Sequence, residues 1–284
     1  MKIFITKIFI LALFLIPIVV GWHYALDNYY NLKSSENSLF IWGDSQAYHG
    51  INLDVLSEAS GKKVFTAARN GAGIYDFLVF SEKVPNNSNV IITLSKPVQI
   101  RRKERDRNIS GISISSLHHL LNNSYSLGSL CWIILKNTRP TRLFLTKTNL
   151  FKYDETTSIR KPSSSFKNLY NEIPNYLKDK QNLYLIGLKR IVDKKCKIRL
   201  IELPYHKFVH PIENKSPIQQ KTISFSNAAR QLVKCQHVDT LKLDRSRQVM
   251  HDLTHLNEVG ADQVSRYIGR DIKMNERTTM YIVH

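Results

Sequence analysis

The sequence predicts an α/β domain: a parallel sheet with helices on both faces. Short apolar runs bounded by turn formers alternate with longer stretches at helical spacing. Such alternation implies βαβ units, whose strands run parallel. The chain has 284 residues, 43% of them hydrophobic, which is ample for a single core.

The first strand is Leu39-Phe40-Ile41-Trp42, ending in Gly43-Asp44-Ser45. Asn52 to Ala59 spaces Leu53, Val55, Leu56 and Ala59 as a helix does, and Gly61 stops it. Lys63 to Ala67 is a second strand, followed by the glycine turn Arg69-Asn70-Gly71-Ala72-Gly73. A helix from about Ile74 to Glu82 leads to the strand Val90 to Leu94. Residues 101–165 break the rhythm with charge, Ser and Asn around one apolar helix candidate, Ser126 to Lys136, and read as an inserted lid or platform. Alternation resumes with a helix from Phe166 to Lys195 and a strand from Lys197 to Leu203, stopped by Pro204. A helix from about Ile218 to Lys234 precedes the expected last strand, Val238 to Leu243. Asn257 is placed to cap a terminal helix over about Glu258 to Arg270.

The amino terminus differs in kind. Lys2 and Lys7 precede an apolar run, Ile8 to Trp22, broken only by Pro17. Counted from Ile3, it approaches the roughly 20 apolar residues a bilayer core demands. Residues 1–25 therefore read as a signal anchor or signal peptide, 26–37 as a linker, and 38–284 as the exported domain. The net charge is +18, from 41 Lys and Arg against 23 Asp and Glu, and it attracts anionic partners. Its densest piece is Arg101 to Arg107. With no zinc-finger, RNP or helix-turn-helix pattern, nucleic acid is not expected; outside the cytoplasm an anionic glycan or lipid head group is.

The three cysteines, Cys131, Cys196 and Cys235, show no metal-ligand spacing, so no metal is expected. Nothing in the sequence calls for a cofactor. Cys196 and Cys235 each end a helix that feeds a strand. If those strands are neighbours, the two form either a disulfide or a pair of free thiols.

Gly43-Asp44-Ser45 follows the first strand, and Asp252-Leu253-Thr254-His255 lies between the last strand and the last helix. Parallel α/β sheets form their sites at the carboxyl ends of strands, so both segments come to one edge. These motifs, with the continuation His255 to Ala261, resemble the SGNH/GDSL hydrolase superfamily over roughly Leu39 to Gly269. The resemblance implies a flavodoxin-like three-layer sandwich, for which the strand order 2-1-3-4-5 is expected. It further implies a triad of Ser45, His255 and Asp252, with the Ser45 N–H and the Gly71 N–H (Gly73 the alternative) as oxyanion donors. Where the family has Gly-x-Asn-Asp after the third strand, this chain has Leu94-Ser95-Lys96-Pro97, without the donor asparagine. Ser95, Lys96 and Gln99 are the nearest substitutes.

The layout is similar to that of membrane-anchored envelope O-acetylesterases and O-acetyltransferases. The expected substrate is an acylated, anionic glycan, with polysaccharide-assembly proteins as further partners. The alternatives are a catalytically degenerate glycan-binding or assembly protein and a lipolytic esterase. His49, Tyr205 and His206 lie at the active edge, either as substrate contacts or as packing.

Overall fold

A computed structural model describes residues 17, 18, 21, 37–94, 144–164, 166–167, 177–213, 217–243, 248–275 and 278–283. The chain divides into two compact units, residues 1–33 with 108–143 and residues 34–107 with 144–284. Most of the N-terminal segment, the helix candidate at 126–136, Cys131 and the basic run 101–107 lie outside the described residues. Among the described residues, no helix is long and apolar enough to cross a membrane.

Six strands form one wholly parallel sheet: β1 Ser38–Trp42, β2 Lys63–Thr66, β3 Asn89–Thr93, β4 Lys197–Glu202, β5 His237–Leu241 and β6 Thr279–Val283. The helices between them are α1 Ser45–Gly50, α2 Leu53–Ser60, α3 Ile74–Lys83, α4 Leu177–Asp193, α5 His210–Glu213, α6 Pro217–Leu232 and α7 Glu258–Met274. The α/β class, a parallel sheet with helices between its strands, follows from the alternation of these elements.

The strand order is β2-β1-β3-β4-β6-β5, which corrects the expected 2-1-3-4-5. Thr279-Met280-Tyr281-Ile282-Val283 forms a sixth strand between β4 and β5. The terminal helix ends at Met274, beyond the expected Arg270, and the β-branched and aromatic run after it pairs on both sides. The cysteines follow from this change. Cys196 and Cys235 are free thiols, and the intervening strand puts their helix ends about two strand spacings, roughly 9–10 Å, apart.

Alternating residues of each strand feed two cores. Leu39, Ile41, Ile91, Ile201, Tyr281 and Val283 pack with Leu56 of α2 and Val264, Ile268 and Ile272 of α7. On the opposite face Trp42 meets Phe77 at 4.6 Å and Tyr184 at 5.5 Å between ring centroids, and Tyr184 meets Phe225 at 5.1 Å. Every residue of β1 is buried, because it is central to both layers. Gly61 ends α2 at φ +69°, and Asn257 caps α7 by accepting from the Gly260 N–H at 3.1 Å, as the sequence predicts.

Candidate active site

Since all strands run one way, the segments following β1, β2 and β4 and the loop before α7 gather at one edge. The chain leaves β1 through Gly43, where there is no room for a side chain. A Cβ would lie 2.0 Å from Thr93 Oγ1 and 2.3 Å from Ala47 Cβ. Asp44 then caps α1, its carboxylate accepting from the Gln46 N–H at 2.9 Å, so it holds the turn. Ser45 emerges as the first residue of the helix.

The second half of the site is a tight loop closed by an antiparallel bridge between Met250 and Leu256. Asp252 Oδ1 folds it, accepting from the Thr254 N–H at 2.7 Å and the His255 N–H at 2.8 Å. The other oxygen, Oδ2, accepts from His255 Nδ1 at 2.8 Å, while His255 Nε2 stands 3.0 Å from Ser45 Oγ. The three side chains thus form one continuous chain of hydrogen bonds. Gln46 Nε2 donates to the Thr254 carbonyl at 2.8 Å and ties the two halves together. Burial pushes the Asp252 carboxyl up, but the hydrogen bond and charge of His255 and the N–H groups of Thr254 and His255 outweigh it. The carboxyl is held at about 2.

A serine hydroxyl becomes a nucleophile when a neighbouring base takes its proton, and Nε2 is within that reach. The carboxylate on Nδ1 fixes the ring tautomer that leaves Nε2 free to accept. No family model matches this chain, and no curated protein matches it significantly.

The remaining expected residues take distinct places. Gly71 lies in the turn after β2 at φ +77°, a backbone conformation that suits glycine. The Gly73 N–H donates to Asp76 Oδ2 at 2.9 Å, within the cap of α3. His49, on α1 one turn beyond Ser45, is 6% exposed, with Nδ1 2.5 Å from the Asn149 carbonyl and Nε2 2.8 Å from Asn70 Oδ1. Tyr205 and His206 are buried behind the triad loop, and the His206 N–H donates to the Leu253 carbonyl at 3.0 Å.

Sequence reading misses Gln46, Asn70 and an aromatic stack. Phe151 lies between His49 and His251, 3.9 Å from each ring centroid, and its edge faces His255 at 5.7 Å. Its carbonyl accepts from the Glu258 N–H at 2.7 Å, which straps the end of the insertion onto the start of α7. The only sequence signal for Phe151 is an aromatic residue in a polar insertion, which does not reveal its neighbours.

Proposed function

We propose that this chain is a serine esterase or O-acyltransferase of the SGNH/GDSL kind, on a flavodoxin-like sandwich, acting on acetyl groups of an envelope glycan. The observation that carries this reading is the alignment of Ser45 Oγ, His255 and Asp252 at 3.0 and 2.8 Å. In the reaction Ser45 Oγ bonds to the acyl carbon while His255 Nε2 takes its proton. The tetrahedral oxyanion collapses, the sugar oxygen leaves with the proton from His255, and an acyl-serine remains. Water, or a second sugar hydroxyl, then repeats the sequence and restores the serine.

The full-length chain is expected to release nitrophenol from 4-nitrophenyl acetate and to take up one fluorophosphonate group, on Ser45. Peptide mass spectrometry that finds the probe elsewhere, or no uptake with no turnover, rejects the esterase reading in favour of a binding protein. Turnover of long-chain but not acetyl esters points to the lipolytic alternative.

The proposed glycan is anionic, matching the +18 charge, and the proposed location is outside the cytoplasm, on the apolar N-terminal segment. Affinity for an acetylated uronate polymer is expected to fall between about 50 mM and 500 mM salt as screening shortens the range of attraction. Affinity indifferent to salt removes the anionic assignment.

A further inference from the structure

We infer that the Asn70 side-chain amide is an oxyanion donor at Ser45, held in place by His49. The inference rests on the acyl-transfer reading above and supplies a donor that the sequence after β3 lacks. The main chain brings Asn70 to the site. Beyond the end of β2 the pairing with the β1 segment continues, from the Ala67 N–H to the Ile41 carbonyl at 2.8 Å and from the Arg69 N–H to the Gly43 carbonyl at 3.2 Å. Asn70 therefore reaches the edge beside Asp44 and Ser45. The Ala72 N–H to Arg69 carbonyl bond at 3.1 Å closes the following turn, and Asn70 itself is exposed, open to a substrate.

His49 fixes the amide. Its Nδ1 faces a backbone carbonyl, which can only accept, so Nδ1 carries a hydrogen. Burial pushes the His49 pKa down, and the nearby His255 and His251 add to this, against the opposing bonds to Asn149 and Asn70. The ring is then neutral and Nε2 is an acceptor. The structure places Asn70 Oδ1 2.8 Å from Nε2. Oxygen and nitrogen of an amide are assigned from their partners, and opposite an acceptor nitrogen the amide turns so that its N–H₂ takes this position. One N–H of Asn70 binds His49 and the second is left over. Were His49 doubly protonated, the amide oxygen would face it and both N–H groups would remain. Either way a donor is presented beside a ring 5.6 Å from that of His255. Donors fixed where charge develops cost no reorganisation during the reaction, and removing one typically lowers kcat by about 10²–10³-fold.

The test uses the full-length chain with Asn70→Ala and Asn70→Asp, the second preserving the shape of the side chain. It measures kcat and KM for 4-nitrophenyl acetate, and inhibition by phenylboronic acid, which forms a tetrahedral anion on a serine. Both variants are expected to lose about 100-fold or more in kcat, with KM within about threefold and boronate affinity falling in parallel. If Asn70→Ala melts early, Asn70→Asp decides. A kcat within threefold of wild type, while Ser45→Ala is inactive, overturns the inference and leaves the acyl-transfer reading standing. A wild type no faster than Ser45→Ala removes both. A loss confined to KM, with boronate affinity unchanged, makes Asn70 a substrate contact and also overturns it.

Discussion

Ser45→Ala is expected to lower kcat for an acetyl ester by about 10⁴-fold or more while leaving the fold intact. The size of the loss follows from the geometry, because among the described residues no second hydroxyl is hydrogen-bonded to His255 Nε2. Thr254 Oγ1 is close to His255, but at 3.1 Å from Nδ1, the ring nitrogen that already faces Asp252. Among the described residues the hydroxyl removed bonds only to the histidine, so thermal unfolding should shift by less than about 1 kcal/mol in stability. A variant within tenfold of wild type would place the chemistry on another residue.

Asp252→Asn is expected to cost a similar factor, about 10⁴ in kcat, by a different route. An amide can offer its N–H₂ to the ring and so select the tautomer in which Nε2 carries the hydrogen, which disables the base. The same substitution changes acid stability. The Asp252 carboxyl is at about 2 in the folded chain against an ordinary 3.8, so between those values the unfolded chain binds more protons. Its contribution to stability is fully present above about pH 3.8 and is lost as pH falls through about 2. Acid unfolding monitored by circular dichroism over that window should be less steep in Asp252→Asn. Equal slopes would mean that Asp252 keeps an ordinary carboxyl in the folded state. Since the carboxylate stays ionised down to about 2, loss of turnover at milder acidity reports another group.

The residues that act through local sequence were legible. Gly43-Asp44-Ser45 follows an apolar run closed by turn formers, and Asp252 reaches His255 within one turn of chain, so adjacency alone brings each set together. Their meeting across 210 positions was legible only through the rule that parallel sheets gather their loops at one edge. Strand order has no such local signature. The Thr279–Val283 run carries the residues of a strand, but nothing in it says that it pairs with β4 rather than lying outside β5. His49 shows the same limit from the other side. Its place on α1 was readable, but its ring is closed in by Asn149 and Phe151, from a segment about 100 residues away whose path no periodicity describes.

The position of β6 also sets an order of events for the nascent chain. It is the last of the six strands to be synthesised, yet it fills an interior slot, with β4 on one side and β5 on the other. Until it arrives β4 presents an open edge and β5 has no partner in the sheet, so these pairings wait for residues 279–283. The loop bearing Asp252 and His255 lies in the interval between β5 and β6. A strand that holds none of Ser45, Asp252 or His255 therefore closes the sheet beneath the helix that follows the loop of Asp252 and His255.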